Sequence, residues 1–377
     1  MLIQLAILGF LVALLPLTIV WASRDANKYR KLAWVTLFLT FDLIMFGAFT
    51  RLTDSGLGCP DWPGCYGHAN PVQAHAHISA AEAAMPDGPV TVAKAWIEMI
   101  HRYLAMAVGV LIIAIMVVAW RRWFQARRGA FAAAGAGPGL PTCLFLFVCL
   151  QGAFGAWTVT LKLQPVIVTI HLLLGMFLLA LLAWLAAGQA HHPPVDRKAA
   201  ELRLPAALAL GLLSVQLALG GWVSTNYAAL ACLDFPLCHG KLVPEMDFHH
   251  GFTLWRHLGK TADGEYLPFP ALTAIHWTHR LFAFVVLAYA GWLAWRARGI
   301  DGLARSARWL AFALGLQMAT GLATIFLRWP LALAVVHNGG AALLVVLLVM
   351  LNYKARIAAA PAPKPAASRL APARPPA

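Results

Sequence analysis

Nine runs of predominantly apolar residues, each about 20 residues long, leave this chain one kind of structure. They cover 2–21, 32–51, 97–119, 141–161, 166–187, 205–225, 272–295, 308–327 and 330–351. A helix of that length spans the hydrocarbon core of a bilayer. Inside that core each backbone N–H and C=O must pair within its own segment, so the runs are forced to be helices. Hydrophobic residues make up 61% of the chain and charged residues 12%, which excludes a soluble domain. The lipid bilayer is therefore the first partner.

The net charge of +14 invites a nucleic-acid reading, but the charges follow topology instead. Twenty of the 29 Lys and Arg fall in five places: 24–31, 121–128, 197–203, 296–308 and after Asn352. Most acids lie in the other segments. This is the positive-inside asymmetry. It predicts an inner-membrane protein with a periplasmic N-terminus, a cytoplasmic C-terminus and no nucleic-acid partner. The two long loops, 52–96 and 226–271, then lie on the outer face, where disulfides are permitted. The first run has no basic n-region and is read as a helix that stays, not as a signal peptide. Residues 353–377 read as a disordered cytoplasmic tail, rich in Ala and Pro at its end.

The stretch 32–188 matches the stretch 205–352 at four places in the same order. Gln151 and His171 stand 20 apart, as do Gln317 and His337. Gly155 and Gly321 follow those glutamines, and Pro165 and Pro330 open the next helices. His101-Arg102 answers His279-Arg280, each followed by an alanine, Ala105 or Ala283. Gly47 stands 12 residues before Cys59 and Gly220 stands 12 before Cys232, and each cysteine begins a pair enclosing five residues. Four helices per copy, an even number, give a parallel repeat. The expected fold is an all-α polytopic membrane protein of two four-helix bundles, eight helices, with an extra N-terminal helix in 1–31.

Ionisable groups inside a membrane point to function. His101 and His171 lie near the outer ends of their helices, and His279 and His337 repeat the arrangement. Two imidazoles opposed across a bundle are what a six-coordinate heme iron requires. Zinc is disfavoured because no third ligand recurs at that depth. Arg102 and Arg280, beside these ligands, are read as partners for heme propionates. The copies differ three residues before the His-Arg pair, where Glu98 answers His276. Glu98 and His101 share a helix face, so the first half is read as the reacting site and the second as holding a permanent heme.

These residues resemble the heme A synthase family: Glu98-x-x-His101-Arg102, His171, His279-Arg280, His337 and the paired outer-loop cysteines, over about 32–352. The resemblance implies an oxidoreductase that converts the C8 methyl of heme O to the formyl of heme A for cytochrome oxidase assembly. It implies heme b on His279 and His337, and substrate heme O at His101 and His171 with Glu98 nearby. It also implies heme O synthase and cytochrome c oxidase assembly factors as partners, with an electron donor that the sequence does not name. The extra N-terminal helix departs from the family pattern.

Cys59 with Cys65 and Cys232 with Cys238 fit two local disulfides in the outer loops. A redox role for them stays open beside a structural one. No CxxCH occurs, which excludes covalent c-type heme. Cys143 and Cys149 are read as packing residues, Gln151 and Gln317 as interhelical bonds, and Trp62, Trp157 and Trp222 as an interfacial belt. Asp42 reads equally as a hydrogen-bonded residue or part of a proton path. The loop histidines show no ligand spacing. Two other functions use the same bis-histidine pairs: a two-heme cytochrome b for electron transfer, and a heme carrier.

Overall fold

The computed structural model describes residues 1–128 and 137–359. Among these the chain is helical, with α1 (Leu2–Ala22), α2 (Lys28–Leu52), α3 (His75–Ala84), α4 (Val92–Arg127), α5 (Gly139–Thr160), α6 (Pro165–Gln189), α7 (Arg203–Thr225), α8 (Phe248–Gly251), α9 (Phe269–Ala297), α10 (Ala304–Phe326) and α11 (Leu331–Ala358). Nine of these eleven are long and apolar enough to cross a membrane, and the chain is a multi-pass membrane protein. The two others, α3 and α8, lie in the two long loops and carry no apolar run, so periodicity alone does not reveal them.

The spanning helices extend past the apolar windows because hydrocarbon thickness limits the window and not the helix. α4 starts five residues before the expected 97, where the Thr91 hydroxyl accepts the Lys94 N–H at 3.2 Å. It continues through Arg121 and Arg122 to Arg127. α11 likewise runs to Ala358, so residues 353–358, expected in a tail, are helical, and 360–377 lie outside the described residues. Pro165 opens α6 at its first turn, where its missing N–H leaves no bond unmade.

α2, α6, α7 and α11 pack on one another at the centre. α4 and α5 flank them on one side, α9 and α10 on the other, and α1 lies against α4 and α2. A single apolar core, with Leu111 of α4, Leu182 of α6, Leu213 of α7, Leu293 of α9 and Leu348 of α11, runs through both sides. The C-terminal ends of α2 and α7 meet directly. Arg51 donates to the Ser224 carbonyl at 2.7 Å and stacks on Tyr227, whose hydroxyl donates to Asp54 at 2.6 Å.

Candidate functional site

Each of the four intramembrane histidines lies against a glycine on the preceding long helix. A Cβ at Gly47 would stand 2.9 Å from His101 Cε1, at Gly155 3.3 Å from His171, at Gly220 3.1 Å from His279 and at Gly321 3.2 Å from His337. All four contacts fall on Cε1, so every ring is presented the same way. Any larger residue would displace the ring, which explains why these positions carry glycine in the middle of helices, where it is otherwise unfavourable. His279 and His337 wall one cavity of about 200 Å³, mostly apolar, together with Gly220, Gly321 and Gln317.

What holds the rings differs between the two pairs. Gln216 Nε2 lies 3.1 Å from His279 Nδ1, and the Thr320 hydroxyl lies 2.9 Å from His337 Nδ1. At the matching positions stand Leu43 and Phe154. The Nδ1 atoms of His101 and His171 are buried with no hydrogen-bond partner among the described residues, and Phe46 stacks on the His101 ring at 6.3 Å. Gln151 and Gln317 do bond across helices, to His171 and His337 at 3.4 and 3.3 Å through Nε2.

Glu98 and the two arginines face the disulfide-bearing loops. Glu98 is buried, accepts the Cys59 N–H at 2.7 Å and pairs with Arg102. Arg102 also donates to the Asp61 carbonyl at 3.0 Å and the Gly64 carbonyl at 2.5 Å. Arg280 donates to the carbonyls of Cys232, Asp234 and Leu237 at 2.5, 2.8 and 3.2 Å, and to His276 Nε2 at 2.8 Å. Loop carbonyls take two of the Arg102 contacts and three of those of Arg280, and Arg280 also lines the cavity that His279 and His337 wall. Spacing placed both residues beside the histidines, but only the folded loops reveal what the guanidinium groups reach. His276 is tied to the Ala228 carbonyl at 2.8 Å, where its counterpart Glu98 holds a loop N–H.

Both cysteine pairs form disulfides, Cys59–Cys65 and Cys232–Cys238. The two loops are built alike. Asp61 accepts the N–H groups of Tyr66 and Gly67 at 2.6 and 2.8 Å, and Asp234 accepts those of His239 and Gly240 at 2.8 Å each. The Gly240 and His239 N–H groups hold the Asp234 carboxyl below the usual carboxylate range. Tyr66, Gly67, His239 and Gly240 all have positive φ. Sequence reasoning finds the cysteines but not the aspartates, although an aspartate two residues after each first cysteine is a repeated signal.

The other expectations divide. Trp62 and Trp157 are exposed, as an interfacial belt requires, but Trp222 is buried and donates to the Gly251 carbonyl at 2.8 Å. Cys149 is exposed on α5 and Cys143 half-buried, both free. Asp42 is exposed and makes no hydrogen bond or ion pair among the described residues. No metal-binding cluster of three or more His, Cys, Asp or Glu occurs among the described residues.

Over residues 30–349 the sequence matches the model of a family described as cytochrome oxidase assembly protein. The chain belongs to this cytochrome oxidase assembly protein family. Relatives include the heme A synthase of Shewanella oneidensis, 38% identical over 86% of this chain and 96% of its own length. Those of Rhodopseudomonas palustris and Erythrobacter litoralis are each 30% identical, covering 84% and 83% of this chain and 88% and 93% of their own. The match to the cytochrome oxidase assembly protein family takes in all four histidines, Glu98 and both disulfides, and leaves out α1.

Proposed function

We propose that this protein is a heme A synthase, an oxidoreductase that converts the C8 methyl of heme O to a formyl group for cytochrome oxidase assembly. The family and the names of its relatives support the activity. The proposed architecture is two parallel four-helix units, α2, α4, α5, α6 and α7, α9, α10, α11, with α1 outside them. We place it in a bacterial inner membrane, N-terminus periplasmic and C-terminus cytoplasmic, so that both disulfide loops face the oxidising side.

The imidazole partners carry the assignment of the two sites. A heme ligand is fixed in orientation by a hydrogen bond to its second ring nitrogen. His279 and His337 have such partners in Gln216 and Thr320, and they suit a resident heme b. His101 and His171 lack them, and they suit a heme that must arrive and leave. Glycines behind all four rings fit heme at both places. Heme b bound in this way would supply one-electron chemistry to the neighbouring substrate. Glu98, pinned by Cys59 and Arg102, holds a carboxylate on the His101 face between the substrate site and the first disulfide loop. Arg102 and Arg280 fasten each loop to the helix that carries a ligand. Heme O synthase and oxidase assembly factors are the partners this reaction calls for, as source and acceptor of the pigment, together with an electron donor.

The test compares His101→Ala with His279→Ala, measuring bound heme b and pigment product. The first is expected to keep heme b and lose product, and the second to lose heme b. If both retain product, the reading fails.

A further inference from the structure

We propose that Gly109 and Gly152 open a slot in the wall of the His101/His171 site that takes the isoprenoid tail of the substrate heme. Leu287 and Met318 close the same place at the His279/His337 site. This rests on the proposed assignment of the first site to heme O.

The residues that separate the two sites are read off the repeat. Gly109 follows His101 by the same eight residues that separate Leu287 from His279. Gly152 follows Gln151 as Met318 follows Gln317. Leu287 and Met318 both line the cavity that His279 and His337 wall, and a third lining residue, Leu322, is answered by the smaller Ala156. A Cβ at Gly109 or Gly152 would meet no heavy atom within 4 Å. Gly47 and Gly155 earn their place by admitting an imidazole, but Gly109 and Gly152 admit no protein group at all. Glycine is unfavourable within a helix; Gly109 is half-buried and Gly152 exposed on α5, so the pair leaves open surface at the positions that Leu287 and Met318 fill in the second half. The open glycines Gly211, Gly291 and Gly315 have no such register: none lines the cavity.

The chemistry on each side matches the two pigments. Heme O carries a hydroxyethylfarnesyl chain that heme b lacks. A site that must accept that chain needs apolar room beside the porphyrin edge, and a site reserved for heme b gains contacts by filling it. The α4–α5 seam supplies apolar surroundings in Ile113 and Leu150, which are 43% and 41% exposed. A flexible tail can lie there partly in lipid, at low desolvation cost.

The experiment uses the full-length protein in lipid nanodiscs with its resident heme b, titrated separately with heme O and with heme B. Retained heme b on His279 and His337 shows that each variant is folded. In the Gly109→Leu/Gly152→Met double variant, heme O affinity is expected to fall about tenfold or more from overpacking, with a smaller change for heme B. The reciprocal Leu287→Gly/Met318→Gly variant, stripped and reloaded, is expected to take up heme O at its second site. Unchanged heme O affinity in the first variant would overturn the slot and leave the glycines as lipid-facing positions. If wild type shows no heme O binding that His101→Ala abolishes, the substrate-site reading falls, and the slot with it.

Discussion

Gln216 Nε2 stands 3.1 Å from His279 Nδ1, and the residue at the matching position before His101 is Leu43. One hydrogen bond thus separates two otherwise parallel ligand settings. Removing such a partner typically costs 10- to 100-fold in metal affinity. Gln216→Leu is therefore expected to weaken heme retention roughly tenfold or more, measured as heme transfer to an apoprotein acceptor. Leu43→Gln is expected to do the reverse at the first site, holding substrate longer and slowing product release.

The glycines behind the rings give a second prediction. Gly47→Ala puts a methyl 2.9 Å from the His101 ring, and Gly220→Ala puts one 3.1 Å from the His279 ring. Both distances are too short for carbon–carbon contact, so each ring must move. Gly47→Ala is expected to abolish product while heme b stays, and Gly220→Ala to lose heme b. Gly211→Ala, with nothing within 4 Å, serves as control. It should bind heme normally and gain up to about 1 kcal/mol of stability from helix propensity.

Glu98 and Arg102 form a buried pair with side chains 5% and 10% exposed. Glu98→Ala strands the guanidinium and is expected to cost roughly 3–5 kcal/mol, read from thermal unfolding in detergent. Glu98→Gln still accepts the Cys59 N–H and should cost less. If the carboxylate charge serves the reaction, the Gln variant also loses most product formation with heme b retained. Product at the wild-type rate would leave Glu98 a purely structural clamp.

The fold and the histidines were legible in sequence because each follows from a one-dimensional signal. Apolar length gives the spans, and equal spacing from Gln151 to His171 and Gln317 to His337 gives the repeat. Even Gly47 and Gly220 were visible as matched positions, though not their purpose. What stayed hidden depends on where loops land. Arg102 and Arg280 neighbour the histidines in sequence, but which loop carbonyls they bind is set by how the disulfide loops fold. Trp222 is buried for a related reason: the second outer loop folds over it, and Gly251 takes its N–H. Helices α3 and α8 are held by their packing and not by any apolar period.

The disulfide loops should respond to acid and to reduction separately. Asp234 titrates below its unfolded value, so its contribution is full above the unfolded pKa and is lost as pH falls through the lowered one. The protection factors of the His239 and Gly240 amides, which correct exchange for its intrinsic pH dependence, are expected to fall below about pH 4 and to stay flat between neutral pH and there. Removing Cys232–Cys238, a short closure, is expected to cost about 2 kcal/mol at any pH in that range. An acid response that vanishes in Cys232→Ser/Cys238→Ser would mean the two restraints are one.

Helix α1 lies outside the family match, but its packing ties it to the first disulfide loop. Its buried residues, Leu5, Gly9, Ala13, Pro16 and Val20, form one stripe. Leu5 shares an apolar cluster with Cys59, Cys65, Ile78 and Met99. Gly9 sets the distance to α4, since a Cβ there would stand 2.7 Å from Met106 Cβ. Gly9→Leu must therefore push α1 outward, at a cost of about 1–3 kcal/mol for an overpacked contact. Moving Leu5 uncovers Cys59–Cys65, whereas Cys232–Cys238 is covered by Trp277 and Met246 and has no contact with α1. The expected result is faster reduction of the first disulfide alone, followed by mass spectrometry of alkylated thiols after timed exposure to a membrane-impermeant phosphine. Heme b content should not change, because α1 does not pack against α9, α10 or α11. Equal acceleration at both disulfides would show general loosening, and no acceleration at Cys59–Cys65 would mean that α1 does not shield the loop.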